Sequence, residues 1–101
     1  MSVVFALATP PAKSAICVFR VTGDGCHKAL KQIFSKNSFV PNRFYVGSLK
    51  NGKRVIDRVG LVVFKGPKSY TGEDSFEVHA HGGLAVMSDI VGLFNLSLIH
   101  I

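Results

Sequence analysis

The stretch that decides the fold is SFEVHAHGG, Ser75 to Gly83. Its side chains alternate, with apolar residues on one face and polar residues on the other: Phe76, Val78 and Ala80 against Ser75, Glu77 and His79. This period of two is typical of a strand that is buried on one side only. The two glycines end the alternation, and apolar residues then recur at helical spacing: Leu84, Met87, Ile90, Val91 and Phe94. We therefore predict a half-buried strand that turns directly into a helix.

Upstream of this strand, AICVFRVT (Ala15 to Thr22) is rich in β-branched and aromatic residues and is predicted to be a second strand. Its alternation places Cys17, Phe19 and Val21 on one face and Ile16, Val18 and Arg20 on the other. A shorter strand is predicted from Val3 to Ala8, before Pro10-Pro11. After a turn at Thr22 to Gly25, helical spacing predicts a helix from Cys26 to Ser35. Its predicted apolar face is Ala29, Leu30, Ile33 and Phe34.

A hairpin is predicted between these two parts of the chain, with strands at Arg43 to Leu49 and Val55 to Phe64. Asn51-Gly52 favours a type I′ turn, because both residue types tolerate positive φ. The order strand, strand, helix, hairpin, strand, helix predicts an α+β fold with a small mixed or antiparallel sheet and two helices. We expect one domain over residues 1–94, and residues 95–101 carry no capping pattern and are interpreted as a non-native or truncated tail.

Composition restricts the kind of protein. With 48% hydrophobic residues the chain is not disordered, and no apolar run approaches the roughly 20 residues of a membrane span. Two cysteines without C-x-x-C spacing favour a reducing, cytoplasmic compartment. All twelve Lys and Arg precede residue 69 and give that part a charge of +10, whereas the remainder carries −4. A small basic nucleic-acid-binding module is therefore an alternative function.

Two charged side chains, Arg20 and Glu77, lie in the interiors of predicted strands. They either pair with each other or bind a ligand that has an anionic edge and a hydrogen-bond-donating edge. A metal site at Glu77, His79 and His81 is a further possibility, but residues i and i+4 of a strand are roughly 13 Å apart. No catalytic nucleophile pattern and no phosphate-binding glycine loop is present, so we assign no catalytic residue.

Three motifs in order resemble the N-terminal domain of the MnmE/TrmE family of tRNA modification GTPases. They are ATPP, then a strand ending in R-x-T-G, within Ala8 to Gly23, and GPKSYTGEDSFE followed by HGG within Phe64 to Gly83. The resemblance covers roughly residues 3 to 94. It implies the folate-binding fold of glycine-cleavage T proteins, a homodimer formed through this domain, and binding of a tetrahydrofolate derivative (5-formyl- or 5,10-methylene-tetrahydrofolate).

The resemblance also implies roles for individual residues. The family's folate-contacting arginine falls on Arg20 and its folate-contacting glutamate on Glu77, whereas a third contact, a lysine further along, has no counterpart. In the full-length family a GTPase domain uses GTP, Mg²⁺ and K⁺. With a flavin-dependent partner of the MnmG/GidA family, it modifies C5 of the wobble uridine (U34) of tRNA. This chain departs from the family pattern at residues 12–15 and at Ala80, where family members often have glycine.

Overall fold

The described residues form a five-stranded antiparallel sheet with two helices, which confirms the α+β prediction. The computed structural model describes residues 3–9, 15–67 and 72–97. Predictions about Pro10-Pro11, Ser69 to Thr71 and residues 98–101 lie outside the described residues, and the domain boundary at 94 stays a prediction. In chain order the elements are β1 (Val3–Leu7), β2 (Ile16–Gly23), α1 (Cys26–Ile33), β3 (Phe44–Asn51), β4 (Arg54–Phe64), β5 (Ser75–His81) and α2 (Leu84–Ser97).

The strands lie in the order β1-β2-β5-β4-β3, so β5, the strand SFEVHAH, is central. β5 pairs with β2 on one side and with β4 on the other, both antiparallel. The apolar side chains of β5 therefore lie on the same face of the sheet as those of its neighbours, and the helices cover that face. The core face of the three middle strands is apolar throughout, as predicted for β2 and β5: Cys17, Phe19, Val21, Val59, Leu61, Val63, Phe76, Val78 and Ala80.

The helices cover this core face. α1 begins after Gly25, whose φ of 86° lies in the left-handed region that glycine adopts without strain. It ends at Ile33, two residues earlier than predicted, because Phe34 leaves the helix and forms a β-bridge with Leu49. α2 buries four side chains, Met87, Ile90, Leu93 and Phe94. The prediction was wrong for Leu84 and Val91, which are exposed.

The predicted hairpin is present, but its turn lies one residue further along. Asn51 pairs with Arg54, so the central residues of the turn are Gly52 and Lys53. φ is positive (61°) at Gly52, and neither Asn51 nor Lys53 has a positive φ. Positive φ at the first central position is the type II′ pattern, so the predicted type I′ turn is wrong. A shift in register after Leu49 also places a bulge at Ile56 in β4.

Both cysteines are free and buried. The Cys26 Sγ–H donates to the carbonyl of Asp74 at 3.3 Å, and that of Cys17 donates to the carbonyl of His81 at 3.4 Å. Burial, aided by the Asp74 carboxylate, raises the pKa of the Cys26 thiol from 9.0 to about 12, and burial also raises the pKa of Cys17. Because the thiolate is the reactive form, neither sulfur is suited to nucleophilic chemistry.

We predict that the folded protein reacts with a thiol-specific reagent at about pH 8 only as fast as it unfolds, whereas the denatured chain exposes both thiols. The folded state holds the Cys26 proton more tightly than the unfolded state. This contribution to stability is therefore complete below pH 9.0 and is lost as the pH rises toward about 12. Thiol titration in native buffer and in urea measures the first effect. Rapid labelling of the native protein would contradict it.

No helix within residues 3–9, 15–67 and 72–97 has the length and apolar character needed to span a bilayer.

Candidate functional site

The outer face of the sheet, turned away from the helices, brings the two predicted site residues together. Arg20 and Glu77 are direct partners in the pairing of β2 with β5, although 57 positions separate them in the chain. Arg20 donates from Nε (3.0 Å) and Nη2 (2.8 Å) to Oε2 of Glu77. The side chains are 35% and 19% exposed. The pairing considered from the sequence is thus observed, and it faces outward where a ligand can reach it.

Glu77 keeps hydrogen-bonding capacity beyond this pair. Its second oxygen, Oε1, lies 3.4 Å from Nε2 of His79, two residues along β5. We call Arg20, Glu77 and His79 the charged row. A carboxylate accepts about four hydrogen bonds, so two from Arg20 leave room for donors on a ligand. Because both partners are partly exposed, the ion pair stabilises the fold by about 1 kcal/mol at most, and a ligand can compete with it at small cost.

A cavity of about 330 Å³ adjoins the charged row on the side of β1. Arg20 and Thr22 supply its polar lining, and the remainder comes from the short first strand and the residue after it: Val4, Phe5, Ala6, Leu7 and Ala8. Small-molecule sites have volumes of roughly 300–1,000 Å³ and are mostly apolar with a few placed polar groups. Arg20 therefore connects the two features, because it lines a cavity of ligand size and also binds the Glu77 carboxylate.

Asp74 holds the segment that enters β5. From the sequence alone, Glu73 and Asp74 are interpreted as surface carboxylates of a loop. Its Oδ1 accepts from the backbone N–H of Gly66 at 3.0 Å. Its carbonyl accepts from the N–H of Gly23 at 3.0 Å and from Oγ1 of Thr22 at 3.3 Å. The prediction holds for Glu73, which is exposed, and is wrong for Asp74, which is a half-buried anchor. No local sequence pattern indicates this role, because its partners come from distant segments.

The side chains of the hypothetical metal site are directed to different partners. Nδ1 of His81 donates to Asp57, at 2.8 Å from Oδ1, whereas His79 lies against Glu77. Within the described part of the chain, no group of three or more His, Cys, Asp or Glu side chains could hold a metal ion. Glu77, His79 and His81 therefore do not converge on one point.

The basic residues of the hairpin surround its tip. Lys50, Lys53 and Arg54 lie on β3, in the turn and on β4, and Arg54 makes an exposed 3.4 Å ion pair with Asp89 of α2. They form a solvated basic end of the sheet rather than a shaped pocket. Nucleic-acid binding by the basic part of the chain stays a prediction.

Together these features define a class: an antiparallel α+β domain whose exposed sheet face carries an Arg–Glu pair beside a ligand-sized cavity. The chain belongs to the family described as "GTP-binding protein TrmE N-terminus", whose sequence model matches residues 3–99. It is similar to proteins named "tRNA modification GTPase MnmE". Identity is 38% over 95 residues with that of Thermotoga maritima and 42% over 92 residues with that of Ehrlichia canis. These alignments cover 93% and 90% of this chain. The chain spans 21% of the length of each of these two relatives.

Proposed function

We propose that this domain binds a tetrahydrofolate derivative through Arg20 and Glu77, as the N-terminal part of a tRNA modification GTPase. The observation that carries the proposal is the outward-facing Arg20–Glu77 pair beside a cavity of about 330 Å³. Family membership supplies the class of reaction, because the relatives are named as tRNA modification GTPases.

The hydrogen-bonding groups of Arg20 and Glu77 are suited to a pterin ring. A pterin presents a ring N–H and an exocyclic NH₂ side by side, and a carboxylate accepts two such parallel donors, as it does from arginine. Glu77 has this acceptor, on the rigid central strand of the sheet. The planar guanidinium of Arg20 is suited to stacking on a flat ring or to binding an anionic part of the folate. The folate, when bound, supplies a one-carbon unit.

In this proposal the chain contributes binding rather than bond making. Arg20 fills the acceptor sites of Oε2, so the ligand meets Oε1 of Glu77 first, and a pterin that binds both oxygens replaces a hydrogen bond from Arg20. His79 is 3.4 Å from Oε1 and moves aside or adds a contact when the ligand arrives. A sheet position loses little conformational freedom on binding, which favours a preorganised site.

The remaining family roles enter as parts of the same proposal. They are a homodimer formed through this domain, a flavin-dependent partner of the MnmG/GidA family, and tRNA modified at the wobble uridine. GTP, Mg²⁺ and K⁺ belong to a GTPase domain of the full-length protein.

The test is calorimetric titration of 5-formyl-tetrahydrofolate into the chain lengthened by the residues that follow this domain in its relatives. We expect Glu77→Gln and Arg20→Ala each to weaken binding by roughly tenfold or more. Each substitution removes charge-assisted hydrogen bonds, which are worth about 1.5–3 kcal/mol, and 1.4 kcal/mol corresponds to a tenfold change in affinity.

The matched controls come from the exposed ion pair on the other side of the molecule. Asp89→Asn and Arg54→Ala remove the same kinds of charge at side chains that are 44% and 64% exposed. They should change the affinity by less than about twofold. Equal affinity for the Glu77→Gln variant and the unaltered protein, with the fold verified by circular dichroism, would remove Glu77 from the site.

A further inference from the structure

A second concave region lies on the outer face beyond His79, toward β3. It is a cleft of about 390 Å³ lined in part by Phe44, Arg58, Gly60, His79 and His81. Neither Arg20 nor Glu77 lines it, so it is separate from the cavity of the proposed folate site. His79 is shared by the two regions, because it lies against Glu77 and also lines this cleft.

One wall of the cleft is aromatic and is shaped for a flat group. Phe44 is 58% exposed, and its ring meets that of His79 edge to face, with centroids 5.9 Å apart and planes at 78°. The absence of a side chain at Gly60 allows this position, because a Cβ there would collide with the Phe44 ring. Exposed aromatic faces held in this way bind planar rings by stacking. Ile16 and Val46, both exposed, extend the apolar lining.

The polar side of the cleft is cationic. Arg58 is exposed, and no carboxylate lies within ion-pair distance of it in the described ranges. The neighbouring carboxylate, Asp57, is occupied, because Oδ1 and Oδ2 lie 2.8 and 3.0 Å from Nδ1 of His81 and Oδ2 also accepts the backbone N–H of His81 at 3.0 Å. Arg58 therefore offers its donors to a ligand.

His81 is held in a fixed orientation at the same edge. The Asp57 carboxylate that receives its Nδ1–H is only 12% exposed, whereas the His81 side chain is 72% exposed. The bulge at Ile56 lies directly before Asp57 and bends β4 at this point. A histidine whose Nδ1–H is bound by a carboxylate presents Nε2 on the far side of the ring, where it donates to an anion when the ring is protonated.

We propose that this cleft binds a small ligand made of a flat ring with an anionic group attached. The ring lies against Phe44 and His79, and the anion is bound by Arg58, to which Nε2–H of His81 is added when that ring is protonated. A nucleotide and an aromatic carboxylic acid share this chemistry. The arrangement requires both parts in one molecule, because the aromatic wall and the cationic edge belong to one cleft of about 390 Å³.

The test uses two probes that represent the two sources, uridine 5′-monophosphate and benzoate. Their binding is followed by amide chemical shifts at neutral pH. Chemical-shift changes centred on Gly60 and His81 with either probe support binding in the cleft. The probe that binds with the higher affinity shows whether the ligand is a nucleotide or an aromatic carboxylic acid. Uridine and inorganic phosphate, each with one part only, should bind at least tenfold more weakly. Failure of both probes to shift these amides would overturn the proposal.

Substitutions distinguish binding in a defined cleft from non-specific electrostatic attraction to a basic protein. Arg58→Gln and Phe44→Ala should each weaken the better probe at least fivefold, and both residues are exposed, so the fold is retained. Lys53→Gln removes the same unit of charge at the hairpin tip, outside the cleft lining, and should change the affinity less than twofold. Equal losses for Arg58→Gln and Lys53→Gln would show attraction to net charge only and would overturn the proposal. The probes contain no pterin, so the outcome is independent of folate binding.

Discussion

Replacing Phe94 by alanine is expected to lower the free energy of unfolding by about 3–5 kcal/mol. Phe94 is 0% exposed and lies at the centre of the core. Its ring makes edge contacts with Phe5, Phe19 and Phe76, at centroid distances of 5.2, 5.6 and 6.5 Å. Removal of the Phe94 ring leaves a cavity. The three neighbouring rings cannot all move inward to fill it, because they are held on three different strands.

Urea denaturation followed by circular dichroism measures this loss. Small domains have about 5–15 kcal/mol of stability in total, so the variant should be close to unfolding. The control is Leu96→Ala, on the same helix and 67% exposed, which should cost no more than about 0.5 kcal/mol. A loss below about 1 kcal/mol for the Phe94 variant would mean that α2 does not pack on the sheet as described.

The same substitution, glycine to alanine, is expected to have opposite signs at two positions. At Gly66 a Cβ would lie 2.8 Å from the carbonyl oxygen of Gly72 and 2.9 Å from the carbonyl carbon of Glu73. These are backbone atoms of the segment that Asp74 anchors to Gly66, so they cannot move without breaking that anchor. We expect Gly66→Ala to destabilise the fold by about 1–3 kcal/mol.

At Gly92, inside α2, a Cβ meets no atom of the described residues within 4 Å. Alanine favours a helix interior over glycine, so Gly92→Ala should stabilise the fold by about 0.5–1 kcal/mol. Thermal and urea unfolding of both variants measure the difference. Two changes of the same sign would contradict the described packing around Gly66.

The alternation of side chains made most of the sheet predictable. Cys17, Phe19 and Val21 in β2, like Phe76 and Val78 in β5, are buried as expected, because a strand with one covered face must bury every second residue. The incorrect predictions concern residues whose conformation or burial depends on tertiary contacts. Phe34 leaves its helix to reach Leu49, and Leu93 is buried in α2 where the pattern favoured Val91.

The residues of the candidate site could be predicted from the sequence, but their arrangement in space could not. A charge in the interior of a strand identified Arg20 and Glu77, but only the pairing of β2 with β5 and its register show that they are neighbours. The Asp57–His81 contact had no signal in the sequence, since it depends on a bulge in one strand and the end of another. The turn at Gly52 was displaced because hairpin register is set by the pairing of both strands, whereas the sequence pattern reports on one strand at a time.

The central position of β5 also determines when the sheet can assemble. β3 and β4 are neighbours in the chain and close through a two-residue turn, so this hairpin forms through local contacts. On the side away from β1, the partner of β2 is β5, so Val21 can pair only after Phe76 has been synthesised. Such distant pairing slows folding, because the loop must close before the contacts form. On the ribosome, an emerging chain shorter than about 81 residues therefore holds β1 and β2 as a partnerless pair, open to association with other chains.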